Sequence, residues 1–372
     1  MPTPPLSPEL AREAFEAFER YGSKAEAARQ MGLHPATYKN RLNKYYQLEA
    51  VDPAVKDAAA DMGIQDLAII KGGWLKTKDA SLRFTMPTAA DNPQGIIDAL
   101  KEGLSDVDPA PYVPAPEGPE SLCAVFPVAD LHIGLLTDQE EVGEDWDTKK
   151  AGEVFRETFG RLVSVTPSAG TAILAQLGDL THNDDQRNVT PQSGHQLDVD
   201  SRYFMILRRA VAVMKWAIDA LREKYPNVIY RGCRGNHDIT THYAVTLALS
   251  EHYRDTPGVE IMDSANEFYV HEFGANMLLL HHGDKVKPDR LVTAAAANWP
   301  EIWGRTKHRL ALSGHVHHET RKEVGGMTFE SVGTIIPRDA HAYTHGYSAN
   351  RGLVSIALDE IQGEISRARV GA

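Results

Sequence analysis

The chain is poor in cysteine, has no long apolar run and carries no excess of positive charge. Cys123 and Cys233 are the only cysteines among 372 residues. Both lie in strand-like runs and read as buried thiols of a reducing compartment, not as a disulfide framework. No apolar run approaches the ~20 residues of a membrane helix, so no membrane partner is expected. The start, Met1-Pro2-Thr3-Pro4-Pro5, has neither the charged nor the apolar region of a secretion signal. A soluble cytoplasmic protein is the expectation. The formal net charge of -12 excludes a uniformly basic coat for nucleic acid but leaves room for a local basic surface. There is no internal repeat. A hydrophobic content of 42% suffices for a packed core, and the length suffices for two domains.

The first fifty residues read as helical. Ser7 and Pro8 suit the N-cap and first turn of a helix whose apolar face is Leu10, Ala14, Phe15, Ala17 and Phe18. Ser23 opens a second helix, Gly32 ends it, and Leu33 is the buried turn residue. A third helix is predicted over residues 35–46. This resembles a helix-turn-helix, whose last helix enters the major groove. That helix carries Lys39, Asn40, Arg41, Asn43 and Lys44 and no acid, so these five are the candidate DNA contacts. The competing reading is a helical docking or assembly module, which leaves an oligomer open.

The expected domains are residues 1–50, the helix-turn-helix, and residues 120–372. Between them, residues 51–107 are an accessory segment. There Trp74-Leu75-Lys76-Thr77 and Ser81-Leu82-Arg83-Phe84-Thr85 could pair across Lys78-Asp79-Ala80, and residues 92–104 could form a helix. Residues 108–119 contain Pro109, Pro111, Pro114, Pro116 and Pro119 and read as a stiff linker. From Ser121 onward, strands alternate with amphipathic helices predicted over 148–163 and 202–224. That alternation predicts an α/β fold with parallel or mixed sheets covered by helices. Asp145, Trp146 and Asp147 suit a helix cap. Residues 320–324, 327–332 and 353–358 read as an antiparallel meander.

Five apolar runs each end in a polar block. The blocks are Asp130-Leu131-His132, Gly178-Asp179-Leu180-Thr181-His182-Asn183, Gly235-Asn236-His237-Asp238, His281-His282-Gly283-Asp284 and Gly314-His315-Val316-His317. Five strand-then-ligand units suggest one site on one sheet edge. The potential ligands are Asp130, His132, Asp179, Asn236, His282, His315 and His317. Oxygen and imidazole donors without thiolate suit manganese, iron or zinc better than copper. Seven are too many for one tetrahedral ion and suit two ions ~3.5–4 Å apart, a spacing typical of phosphoester-cleaving sites. Asp-x-His and His-x-His would place both side chains on one side of an extended chain end. A carboxylate could bridge the ions by giving one oxygen to each. A lone histidine among the 16 here is more often structural than functional. The joint pattern reverses that for these blocks, although His281 reads as a strand residue.

In order and content the blocks resemble the calcineurin-like metallophosphoesterases, over residues 121 to about 345. The resemblance implies a sandwich of two mixed β-sheets flanked by helices, with metals at the strand ends. It implies one metal on Asp130, His132, Asp179 and His317, and another on Asp179, Asn236, His282 and His315, with Asp179 bridging. Manganese is the expected divalent metal, with iron, zinc or nickel as alternatives. His237 would be the catalytic histidine, paired with Asp238 or another nearby acid. The sequence lacks the Asp-Arg-Gly of the protein phosphatase branch. It is closer to the double-strand-break-repair nucleases of the SbcD type, where a histidine also stands at the place of His182. The combination with a helix-turn-helix resembles proteins of tailed bacteriophages, which would put it in the host cytoplasm. His182, Arg338 and His341 are candidate substrate contacts, as are His318 and His345; by the same resemblance His182 could instead orient a metal ligand. The expected function is a dinuclear-metal phosphodiesterase, a DNA nuclease of the repair-exonuclease kind. The alternatives are a phosphodiesterase or phosphatase on small or cyclic nucleotides, and a catalytically idle DNA-binding regulator.

Overall fold

The computed structural model describes residues 8–21, 23–49, 72–76, 81–85, 117–338, 343, 346 and 350–372. The chain divides into two compact units, Met1–Ile96 and Ile97–Ala372. No described helix is long and apolar enough to cross a membrane.

The first unit contains α1 (Pro8–Tyr21), α2 (Lys24–Gln30) and α3 (Pro35–Glu49). The Ser23 hydroxyl caps α2 by accepting the Glu26 N–H at 3.1 Å. Gly32 takes φ +62°, and the Leu33 N–H reaches back to the Ala28 carbonyl at 2.9 Å, which stops α2. Ala14, Ala27, Ala28, Tyr38 and Leu42 form the core of this unit. The buried Tyr38 hydroxyl donates to the Ala14 carbonyl at 2.7 Å, and Phe15 stacks on Tyr45. The expected hairpin also forms: β1 (Gly72–Lys76) pairs antiparallel with β2 (Ser81–Thr85), with Trp74 opposite Arg83. The predicted Ser7 cap, the helix over 92–104 and the linker up to residue 116 lie outside the described residues.

The second unit is an α/β sandwich of two mixed sheets flanked by helices, as the sequence led one to expect. Its strands are β3 (Leu122–Val128), β4 (Thr171–Leu177), β5 (Asn227–Cys233), β6 (Val259–Met262), β7 (Tyr269–Phe273), β8 (Asn276–Leu280), β9 (His308–Ser313), β10 (Thr320–Val324), β11 (Met327–Ser331), β12 (Gly352–Asp359) and β13 (Gly363–Gly371). One sheet has the order β13-β12-β3-β4-β5-β6, the other β10-β11-β9-β8-β7. β3 to β6 run parallel, and so do β8 and β9. Their carboxyl ends therefore open on loops, the usual place for a site in such sheets.

Alternation along the strands builds three apolar layers. Val125, Ile173, Ala175 and Cys233 meet Leu278, Leu280, Leu310 and Leu312 between the sheets. Met277, Leu279 and Ala311 point the other way, onto Leu291 and Ala295 of α8 (Pro288–Asn298). Outside the larger sheet, Phe126 packs on Phe159 of α5 (Thr148–Val165), which follows the short α4 (Gln139–Val142) in the chain, and on Tyr225, just past α6 (Tyr203–Arg222). Strands covered on both faces read as continuous apolar runs, which is why β3 and β4 are legible in the sequence. Asp147 caps α5 through the Lys150 N–H at 2.7 Å.

One expectation fails. The last strands are not a meander. β10 and β11 are a hairpin, and β11 then pairs parallel with β9. β12 belongs to the other sheet, antiparallel to both β3 and β13. Its seven buried residues in succession are the mark of a strand covered on both faces, not of a half-exposed meander strand.

Candidate metal centre

The five polar blocks do converge, at the carboxyl ends of β3, β4, β5, β8 and β9. Their backbones are not extended there. Asp130, His132, Asp179, His315 and His317 have φ of 53°, 40°, 49°, 73° and 57°, in the left-handed region. Such turns, not an extended chain end, bring the i and i+2 side chains together. This conformation costs roughly 1–2 kcal/mol for a residue other than glycine. It persists where the surroundings over-determine it, which is typical of functional sites. Of the described non-glycine residues only Asn188 shares it outside the blocks.

The glycines of the blocks are required by close approach. A Cβ on Gly235 would land on the carboxylate and amide of Asp179. One on Gly314 would lie 2.5 Å from Asp130 Oδ2. Each glycine lets one loop pass directly against the carboxylate of another.

Two donor groups result, Asp130-His132-His317 and Asp179-His282-His315. In the second, the His282 Nδ1–H donates to the Leu177 carbonyl at 2.8 Å. Its Nε2 then faces Asp179 Oδ2 at 3.3 Å and Asn236 Oδ1 at 3.0 Å. With Nδ1 committed as donor, neutral His282 presents three lone-pair atoms to one another. That arrangement calls for a cation. Without one, the ring takes a second proton: although burial opposes the charge, Asp179 pushes His282 up to about 10. In the first group, His132 Nε2 faces His317 Nε2 at 3.2 Å, and His317 Nε2 lies 3.6 Å from Asp130 Oδ1. Burial and then His237 hold His132 well below its usual pKa, so it is a neutral donor. Burial raises the Asp130 carboxyl, which His317 in part opposes. The donor set therefore fits divalent cations.

Asp179 sits between the groups. Its Oδ2 is 3.8 Å from His132 Nε2 as well as 3.3 Å from His282 Nε2. Its Oδ1 is occupied by the His237 N–H at 2.8 Å. The carboxylate thus turns one oxygen to both groups, instead of one oxygen to each as the sequence suggested. Although burial opposes it, His282 and its hydrogen bond hold this carboxylate below the usual range.

His237 is at the site but is not paired with Asp238. Its Nδ1–H donates to the His182 carbonyl at 2.7 Å. Asp238, fully buried, instead accepts the Leu180 N–H and the Gly235 N–H, each at 2.7 Å. It ties the β4 loop to the β5 loop, and burial, then Asp179, pushes its pKa up to about 7. His182 is buried, with Nδ1 3.2 Å from His132 Nδ1. It belongs to a third group of clustered rings, His132-His182-His237.

Other candidates lie apart. Arg338 is exposed and stacks over Tyr343, with 5.0 Å from its guanidinium to the ring centre. His318 is exposed, with Nδ1 2.7 Å from the Val316 carbonyl. His281 stacks on Phe268. His341 and His345 lie outside the described residues. In the first unit, Lys39 and Asn40 are exposed on α3, Arg41 and Lys44 are partly covered, and the Asn43 side chain is outside the described set.

The sequence reading missed two residues. The Asp184 carboxylate accepts the Thr240 and Thr241 N–H groups and the Thr241 hydroxyl, at 2.7–2.9 Å, where the loop of His237 enters α7 (Thr241–Tyr253). Its place two residues after His182 was the only signal. The Thr334 hydroxyl donates to the Asp130 carbonyl at 2.7 Å, and nothing in the sequence marks it.

No family profile matches the chain, and neither does any curated protein. Solved structures do resemble it. A predicted phosphoesterase of Streptococcus pneumoniae is 12% identical, covering 68% of this chain and 98% of its own, with a TM-score of 0.28. The phosphoesterase YfcE of E. coli is 14% identical, covering 67% and 100%, with a TM-score of 0.30. Vps29 of Entamoeba histolytica, complexed with zinc, is 15% identical, covering 67% and 98%, with a TM-score of 0.25. Likeness of this depth transfers no activity, so the chemistry has to come from this chain's own side chains.

Proposed function

We propose that the chain is a divalent-metal phosphodiesterase acting on DNA. The observation that carries it is Asp179 Oδ2 lying between two His/carboxylate groups. Asp130, His132 and His317 would hold one ion, and Asn236, His282 and His315 the other, with Asp179 shared. Bound there, two cations would supply a hydroxide near neutral pH and offset the charge of a phosphoryl group. The protein's own part is positioning and proton transfer. The His237 N–H holds Asp179 Oδ1, which leaves Oδ2 aimed at both groups. With its Nδ1–H committed to the His182 carbonyl, His237 has Nε2 free to carry a proton to a leaving oxygen. That step matters most for a poor leaving group such as a sugar oxygen.

DNA is favoured by the first unit. Helix α3 has Lys39 and Asn40 exposed and carries no acid before Glu49. Each phosphate contact made there would add about 0.9 to the salt slope of binding.

The test is the full-length protein with manganese, offered single- and double-stranded DNA, a cyclic nucleotide and bis-p-nitrophenyl phosphate. DNA cleavage, with a salt slope reduced by about 1 in Lys39→Ala, supports the proposal. Activity on the small diesters alone would make a small nucleotide the substrate. DNA binding without turnover under any metal would leave a binding protein on an idle scaffold.

A further inference from the structure

We infer that His182 is a positioning residue that sets the proton position on His132 with its ring and orients His237 with its main chain. The inference rests on the metal reading above but not on turnover. His132 turns Nε2 toward His317 Nε2, 3.2 Å away, and toward Asp179 Oδ2, 3.8 Å away. To give that face a lone pair for a cation, a neutral His132 must carry its proton on Nδ1. The acceptor 3.2 Å from Nδ1 is the His182 Nδ1. The two rings are buried, so bulk water does not compete for the bond. His182 is itself pinned, because its N–H donates to the Ile133 carbonyl at 3.0 Å. Its own ring proton must then sit on Nε2. Metal-bound histidines usually hand their second N–H to a carboxylate, a carbonyl or a water. His282 does so with the Leu177 carbonyl. His132 uses an imidazole instead. The carbonyl of the same residue takes the His237 Nδ1–H at 2.7 Å, so one residue sets the proton positions of two rings.

The discriminating pair is His182→Asn and His182→Leu. The two replacements have nearly the same size, and only the asparagine can accept the His132 Nδ1–H. Both keep the main-chain carbonyl that holds His237. Calorimetric titration of the metal-free proteins with manganese should resolve two binding events. In His182→Leu one ion should bind about 10–100-fold more weakly, with the other unchanged, because His282 has its own acceptor. His182→Asn should restore the lost affinity toward that of wild type. Equal affinity in the two variants, or equal weakening of both ions in His182→Leu, would overturn the inference. Melting of the metal-free proteins checks that both variants are folded. If wild type binds two ions yet cleaves no diester, the functional proposal fails while this inference stands. If His182→Leu binds both ions as wild type does, the reverse holds.

Discussion

Replacing Gly235 by alanine tests whether the loops of the centre are held at contact distance by necessity. The added Cβ would lie 2.7 Å from Asp179 Cγ and closer still to its amide nitrogen, where ordinary contact begins at 3.4 Å. The obstructing atoms include backbone, so no side-chain rotation relieves the overlap. The β4 and β5 loops must part by more than half an ångström. That movement strains the His237 N–H bond to Asp179 Oδ1 at 2.8 Å and the Gly235 N–H bond to Asp238 at 2.7 Å. Hydrogen bonds to charged groups are worth about 1.5–3 kcal/mol each, so losing both costs about 3–6 kcal/mol. At about 2–4 °C per kcal/mol, melting should fall by roughly 10 °C. A misplacement approaching 1 Å also costs about a hundredfold in rate. Gly304→Ala in α9 (Pro300–Arg305) is the control, because a Cβ there meets nothing within 4 Å. Alanine is the better helix former by about 0.8–1 kcal/mol, so the control should be neutral or slightly stabilised. The assays are thermal melting of the metal-free proteins, manganese titration, and hydrolysis of bis-p-nitrophenyl phosphate. A Gly235→Ala protein that melts within about 2 °C of wild type and binds two ions would refute the packing argument.

Three further outcomes are expected. Because Asp179 pushes His282 up to about 10 in the metal-free protein, metal binding near pH 7.5 must expel that proton. Affinity should rise with pH through this range, and the calorimetric enthalpy should follow the ionisation enthalpy of the buffer; identical enthalpies in two such buffers would contradict it. His237→Ala should cut turnover by about 10²–10⁴-fold with metal content near that of wild type, as elemental analysis would show, and loss of both ions would make the residue a ligand instead. Burial and Asp179 raise Asp238 to about 7, above its unfolded value, so the folded metal-free protein holds a proton that the unfolded chain has lost. Its contribution is full below about pH 4 and is lost as pH rises through 7. Asp238→Asn should flatten that decline in urea denaturation measured in chelator, and an unchanged slope would exclude this assignment.

The blocks were legible because each ligand follows directly on an apolar strand. Local chemistry marks both: β-branched and leucine-rich runs for the buried strands, then glycine, aspartate and histidine. The α2 boundaries were legible for the same reason, since Ser23 and Gly32 act on their own neighbours. The Asp238 role was not, because its two N–H partners, Leu180 and Gly235, come from different loops. A carboxylate next to a histidine in sequence points away from it when the backbone turns between them.

The sequence by itself determined which donors are available, in what order, and that helices alternate with buried strands. It determined those things because strand burial and helix capping are written within a few residues. Only the tertiary structure decided that β12 leaves the smaller sheet for the larger, and that Asp179 offers one oxygen to both donor groups. The structure likewise placed the ring of His182, and not a carboxylate, 3.2 Å from His132 Nδ1. Those outcomes depend on contacts between residues from 47 positions apart, as His132 and Asp179 are, to 231 apart, as Val125 and Ile356 are, which spacing along the chain does not encode.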